Sequence, residues 1–326
     1  MLSTYARTVR PNTGIDTCSS TSKIHRMHST QLALIRHVLV VTVLLAIAPE
    51  PVLSATDMVN VCQANGTSNS LPNDAVKVVS LNMSHGRNTA LNQLFVKKER
   101  TYRNLDKIAM LLDAVNPDVV ALQEADAPSR WSGNFDHVAY VAQQSGFPCL
   151  VHGLHSRTWI SSYGTALLSR SRPAESASMK FSPSWPSKQK GFVSARLMWS
   201  VGRQRVSITF VSVHLDFLRA SVRERQVNEM VARLSDIDGP LVLMGDLNSQ
   251  WQQEESPVRK LADNLNLRTF YPERRTLGTY KKSTGKRLDW ILISRELEFR
   301  DYKVLPDVVA DHLAVYAEIA YLGQQE

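Results

Sequence analysis

Cysteine is scarce: the 326-residue chain holds three, Cys18, Cys62 and Cys149, with no Cys-x-x-Cys pair and no Cys/His cluster. That argues against a structural zinc site. No apolar run reaches the ~20 residues of a membrane-spanning helix, which argues against a multi-span membrane protein. Internal repeats and low-complexity tracts are also lacking, so repeat and collagen-like architectures drop out. Neither sign of charge dominates strongly: 38 basic against 30 acidic residues give +8, which tolerates a polyanionic partner without demanding one. What is present is ordinary for a soluble globular domain, 43% hydrophobic and 21% charged. The length suffices for one large α/β domain with a full core.

The N-terminal region reads as a targeting segment. Arg36 and His37 precede the apolar run Val38–Ala48, and the small-residue stretch Leu53-Ser54-Ala55 follows. A basic flank, a short apolar core and small residues before a polar start describe a secretory signal peptide. Residues 1–55 are therefore assigned to an N-terminal extension and signal peptide, with Met27 as the expected start and export to the periplasm or beyond as the expected location. The alternative is a membrane anchor through residues 38–48. Cleavage after Ala55 would remove five basic and two acidic residues and lower the charge from +8 to +5. Cys62 and Cys149 would remain, in an oxidising environment, either paired or as separate thiols. Asn65-Gly-Thr67 is a glycosylation sequon.

Residues 56–75 are polar and turn-rich and read as a linker. From residue 76 to 321 apolar runs and amphipathic stretches alternate. Strands are expected at 76–81, 118–122, 163–169, 193–199, 206–214, 241–244, 288–293 and 314–320. Helices are expected at 102–115, 135–145, 219–234 and 257–265. Alternation at both ends around a block of adjacent strands argues for a single domain, a mixed sheet system covered by helices.

Polar residues of catalytic type recur just after the apolar runs. Asn82 closes VKVVSLN, Glu124 closes DVVALQE, and His214 closes ITFVSVH. Asp246 and Asn248 follow LVLMG, Asp289 lies in RLDWILIS, and Asp311-His312 precede the last strand. Taken singly, each has a structural explanation: a turn residue, an exposed acid, a hydrogen-bonded core histidine. Together they sit at strand ends, where the loops of α/β folds build sites.

VVSLNMSHG, DVVALQEAD, YGTALLSR, VSVHLD, MGDLNS, RLDWILIS and ADHLAVYAEI follow one another between residues 78 and 319. In that order they resemble the motifs of the endonuclease/exonuclease/phosphatase superfamily. The resemblance implies a DNase I-like four-layer α/β sandwich, with two mixed sheets face to face and helices outside. It also implies a Mg²⁺- or Mn²⁺-dependent hydrolase of phosphoester bonds, since carboxylate and amide oxygens suit hard divalent cations.

The same resemblance makes Glu124 the principal metal ligand, with Asn82 beside it and Asp311 as a second metal-side carboxylate. Asp246 would orient or deprotonate water, Asn248 would hold the phosphate and His214 would meet the phosphate or the leaving group. His312 would donate to a phosphoryl oxygen, with Asp289 fixing its tautomer. DNase I-like enzymes carry an arginine where Asp126 stands, which favours a small-molecule or lipid-headgroup phosphoester over nucleic acid. Arg287, in the basic loop with Arg274, Arg275, Lys281, Lys282 and Lys286, is a candidate substrate contact, the alternative being that the loop is simply solvated. Trp251 would either stack on a substrate ring or cap the core. His85, three residues after Asn82, either reaches the site or is a surface-turn residue, the second being the safer reading. Alternatives are a secreted non-specific nuclease and a non-catalytic binding module on the same fold. No stable protein partner is expected, and the chain is expected to be a monomer.

Overall fold

A computed structural model describes residues 57–64, 67–71, 75–281, 283 and 285–323. The expected signal peptide, the Met27 start, the run 38–48, Cys18, Asn65 and Lys282 lie outside these residues.

Two mixed β-sheets form the centre. The first runs β1(Met58–Cys62), β4(Cys149–Arg157), β5(Ser162–Ser169), β3(Val119–Asp126), β2(Ala75–Asn82), β13(Val315–Tyr321), β12(Leu297–Val304). The second runs β10(Leu267–Thr269), β11(Asp289–Ser294), β9(Leu241–Asp246), β8(Gln204–His214), β7(Gly191–Val201), β6(Glu175–Lys180). Strand alternation sorts the side chains into layers. Val76, Val78, Val119 and Ala121 of the first sheet meet Ile208, Phe210, Val242, Met244 and Ile291 of the second in the central core. The opposite parity, Val79, Leu81, Val120 and Leu122, packs under helices α1(Lys98–Val115) and α2(His137–Gln144). Val211, Val213, Leu241 and Leu243 pack under α3(Ala220–Leu234) and α4(Pro257–Asn264). The result is the four-layer α/β sandwich of DNase I-like proteins.

Local chemistry sets the helix boundaries. In α1, Leu105, Ile108 and Leu112 recur at helical spacing and are buried, each contributing roughly 1.5–3 kcal/mol of burial. Asn116 then turns left-handed, its N–H bonding to the Leu112 carbonyl, and Pro117 forbids continuation. Asp136 caps α2 by accepting from the Ala139 N–H at 2.9 Å. Ser256 caps α4, where Pro257 takes the first helical turn.

One assignment needs correction. The segment expected as a linker carries β1, which pairs antiparallel with β4 so that Cys62 faces Cys149, and the two are joined by a disulfide. Leu71, in the same segment, is fully buried against Trp199 of β7. The polar residues QANGTSNS hid this, because β1 is a short edge strand with its valines exposed.

Candidate functional site

The parallel pairs β2–β3 and β8–β9 end at the same rim, and each sheet delivers polar residues there from its inner face. In the second sheet the register does the assembly: His214 is directly opposite Asp246, and Asp246 is directly opposite Asp289. Each continues an inward-facing series, such as Val242, Met244, Asp246. Gly245 makes the approach possible, since a Cβ there would lie 1.9 Å from the Val213 carbonyl oxygen. In the first sheet Asn82 extends the inward series Val76, Val78, Ser80, and its Nδ2 donates to Asp246 Oδ2 at 3.1 Å, joining the sheets.

Glu124 arrives by a different device. Regular alternation would send it toward α1 and α2, but the register shifts between Leu122 and Ala125 and Glu124 takes φ 47°. This bulge, in a left-handed conformation costly for a non-glycine residue, re-aims the carboxylate toward the mouth. A second unusual backbone faces it: Ser84, His85 and Gly86 all have positive φ. A Cβ at Gly86 would approach Thr101 Cγ2 to 2.9 Å, so the turn is moulded onto α1. From it Arg87 reaches Asp311 Oδ2 at 3.0 Å and Glu124 Oε2 at 3.9 Å.

His85 is not a surface-turn residue. Its Nδ1 lies 2.7 Å from Asp126 Oδ1 and its Nε2 3.4 Å from Glu124 Oε2, with Trp131 and Tyr163 edge-on to the ring. Asp126 is completely buried and takes a second hydrogen bond from Trp131 Nε1 at 2.8 Å. The acid in the place of an arginine is thus the anchor of an imidazole.

Asp289 Oδ2 accepts from Thr279 Oγ1 at 2.6 Å and lies 2.8 Å from His312 Nδ1. His312 Nε2 points toward Asp246 Oδ2, 3.8 Å away. Burial opposes a charged His312, but Asp289 and Asp246 outweigh it and raise its pKa to about 10. Burial raises the Asp246 pKa to about 7; Asp289 adds to the shift and His312 opposes it. Burial would also raise Glu124, yet His85, Lys190, His214 and Arg87 hold it far below the usual carboxylate range.

Lys190 escaped the sequence reading. It is buried just before β7, its Nζ 3.1 and 3.2 Å from the two ring nitrogens of His214, and no carboxylate among the described residues lies within ion-pair distance. Burial lowers its pKa against the pull of Glu124, Asp246 and Asp216, and burial with Lys190 keeps His214 neutral. The only advance signal was a lysine next to a glycine at a strand start, too weak to single out. The Asn248 N–H donates to Asp246 Oδ1 at 2.9 Å and its Nδ2 to the Leu215 carbonyl at 3.1 Å, so it forms an Asx turn at the mouth.

Arg287 does not belong to the site as expected. Its guanidinium is buried, bonded to the carbonyls of Phe270 and Tyr271 and to Tyr302 Oη, and stacked 4.0 Å over Trp290. Aromatic residues 3 to 17 positions away captured it, which charge in a loop does not reveal. Trp251 packs beside Trp290 on the helix-covered side of the second sheet, the core role of its two readings.

Two oxygen-rich clusters bear on a divalent cation. Glu124 and Asp311 already share a cation, the Arg87 guanidinium, with Asn82 on the neighbouring strand. Such hard oxygen donors fit Mg²⁺ or Mn²⁺. Asp246, Asp289 and His312 also lie close enough to hold an ion. There, however, His312 Nδ1 and Asp289 Oδ2 are committed to each other, and the raised His312 pKa favours a proton. The residues therefore fall into two groups, the carboxylates Glu124 and Asp311 around Arg87 and the ion-paired set Asp246, His312 and Asp289.

A profile described as the endonuclease/exonuclease/phosphatase family matches residues 79–312. No curated protein matches the chain in sequence. Among solved structures, an endonuclease/exonuclease/phosphatase family protein from Leptotrichia buccalis is similar at 17% identity and TM-score 0.59, over 76% of this chain and 100% of its own. A mannosyl-6-phosphatase from Bacteroides thetaiotaomicron gives 16% and 0.57, over 76% and 100%. The sulfate-bound catalytic domain of human Nocturnin gives 18% and 0.57, over 76% and 94%. At these identities the likeness is one of fold.

Proposed function

The chain belongs to the endonuclease/exonuclease/phosphatase family, hydrolases of phosphoester bonds, and on that premise we propose that it is an exported, divalent-metal-dependent phosphoesterase acting on a small-molecule or lipid-headgroup phosphoester. The observation that carries this reading is the convergence of the ion-paired Asp246–His312–Asp289 set with the Glu124/Asp311 pair in one cluster.

Glu124 and Asp311, with Asn82, would hold Mg²⁺ or Mn²⁺, which supplies charge for the phosphoryl oxygens. Asp246 accepts the proton of the attacking water as the new P–O bond forms in line with the ester P–O bond that breaks, and the departing alkoxide takes its proton from solvent at the mouth. Its pKa near neutrality suits that task. Protonated His312 donates from Nε2 to a non-bridging oxygen, while Asp289 fixes Nδ1 as the other N–H. Lys190 offers the phosphate a buried ammonium lacking a carboxylate partner at ion-pair range among the described residues. Asn248 borders the opening through which substrate enters.

A nuclease reading has one observation in its favour: Arg274, Arg275 and Lys286 line an open cleft of about 420 Å³ beside the site. Its counterweight is Asp126, fully committed to His85 and Trp131. The test is hydrolysis of p-nitrophenyl phosphate, bis-p-nitrophenyl phosphate, phospholipid and plasmid DNA, with Mg²⁺, Mn²⁺ or chelator. Chelator-sensitive turnover lost in Asp246→Asn is expected, with DNA the poorest substrate. Turnover of DNA alone would transfer the proposal to the nuclease, and no turnover by folded, metal-loaded protein would favour a binding module. Export is tested by fractionating cells that make the full chain or a chain starting at Asp57.

A further inference from the structure

The large apolar side chains left in solvent are distributed unevenly. Among the described residues thirteen are exposed, and nine of them stand on loops at the end of the sandwich that carries the catalytic cluster. The most exposed are Leu91 (88%) and Phe95 (85%) after β2, Trp159 (81%) in the β4–β5 hairpin and Trp185 (87%) between β6 and β7. Leu94, Phe217, Leu218, Tyr271 and Val308 complete the set. At the opposite end, Leu322 alone is exposed among the described residues. Scattered surface hydrophobics need no explanation, but clustering at one functional end does.

Hydrogen bonds fix the loops that bear these tips. The Leu94 N–H is bonded to Asn92 Oδ1 at 3.0 Å, and the Trp131 N–H to the Ile160 carbonyl at 3.1 Å. Arg219 Nη2 donates to the Trp185 carbonyl at 2.9 Å, tying the Trp185 loop to the segment bearing Phe217 and Leu218. Exposed cations stand beside the tips: Lys97 two residues after Phe95, Arg157 two before Trp159, Lys188 three after Trp185, with Arg130 on a neighbouring turn. Apolar tips that enter the acyl boundary, indole rings at headgroup depth and basic residues facing lipid phosphates are the chemistry of an interfacial membrane contact.

We propose that the catalytic end of this protein docks on the surface of a phospholipid bilayer containing anionic lipid, through the loop tips bearing Phe95, Trp159 and Trp185. This deepens the phosphoesterase reading, on which the substrate part rests, by presenting the site to headgroup phosphoesters. A single-stranded nucleic acid is the poorer fit, because Leu91, Leu94, Leu218 and Val308 offer no ring for base stacking. A protein partner fits less well than a sheet of lipid, since the tips rise from separate loops around an opening rather than from one packed patch.

The test uses the full chain and vesicles of phosphatidylcholine with and without phosphatidylserine, with a brominated-lipid arm that quenches indole fluorescence on contact. Wild type should sediment with vesicles, more strongly with phosphatidylserine, and its fluorescence should be quenched. Combined Phe95→Ser, Trp159→Ser and Trp185→Ser should weaken partitioning by about a hundredfold, from the apolar surface lost to the interface. Turnover of soluble p-nitrophenyl phosphate should stay at the wild-type level. Residues 1–56 contain no tryptophan, so quenching reports the catalytic end even if the N-terminal run binds lipid. Absence of quenching in the wild type, however strongly either protein sediments with vesicles, overturns the proposal, whether or not soluble substrates are hydrolysed. Docking and quenching without hydrolysis of any lipid phosphoester uphold the surface and remove lipid from the proposed substrates.

Discussion

Replacing Asp289 by Asn tests the proposed proton handling most directly. The carboxylate is fully buried, and its Oδ2 receives both Thr279 Oγ1 and His312 Nδ1. An amide preserves the volume but removes the charge and presents an N–H₂ group as readily as an oxygen. The elevation of His312 from 6.5 to about 10 corresponds to roughly 5 kcal/mol. Asp246 shares in it, so removing Asp289 should cost about 2–3 kcal/mol of preference for the imidazolium. If His312 acts as the donor to the phosphoryl oxygen, kcat should fall by roughly 10²-fold, and by more if the amide imposes the wrong tautomer. KM should change little.

The pH profile carries the sharper signature. A pKa raised in the folded state keeps His312 protonated, and its stabilising interactions intact, below the unfolded value and up to about 10. In Asp289→Asn the alkaline fall of kcat should move down by about two pH units. The assay is kcat and KM on p-nitrophenyl phosphate from about pH 6 to about pH 10, with near-ultraviolet circular dichroism to verify the fold. A folded variant with kcat within about threefold of wild type, or an unmoved alkaline limb, would refute a protonated His312 donor.

Lys190→Met should lower kcat/KM by about 10–100-fold, since a buried ammonium at a phosphate site contributes at least one charge-assisted hydrogen bond; an unchanged value would assign Lys190 to structure alone. Cys62→Ser opens a disulfide spanning 87 residues, and loop entropy predicts a loss of about 4–5 kcal/mol, read as a fall in Tm of roughly 10 °C. A shift no larger than that of an exposed Ser→Ala control would refute the constraint. Burial, with His152, Lys180 and Lys190 adding to it, holds His155 down to about 3. Its stabilising contribution is complete above about pH 6.5 and declines as pH falls toward 3, by roughly 3 kcal/mol at about pH 4.5. Urea midpoints should therefore drop on acidification and drop less in His155→Gln; parallel curves for the two proteins would refute the assignment.

The architecture was legible because the strands near the centre announce themselves. VKVVSLN, ITFVSVH and LVLMGD are runs of β-branched and apolar residues ending in a polar group, and they became β2, β8 and β9 with boundaries shifted by at most two residues. The edge strands were not legible. In β6, ESASMK, little is buried, and β1 and β12 likewise expose much of their length. Burial creates the periodic signal, and edges have little of it.

The sequence alone determined which residue types stand at the rim, since position at a strand end follows from where an apolar run stops. Asn82, Glu124, His214 and Asp246 are named by where an apolar run stops, Asp289 and His312 by where the next one begins, and they converge. What they touch was decided by tertiary structure. Strand register set Asp246 between His214 and Asp289, and a bulge turned Glu124 from the helix-packed face to the mouth. Partners distant in sequence settled the rest: Trp131 and Asp126 claimed His85, Trp290 and Tyr302 claimed Arg287, and His214 received Lys190. Local sequence encodes the period of burial along one strand, whereas pairing and side-chain capture depend on which segments the folded chain brings side by side.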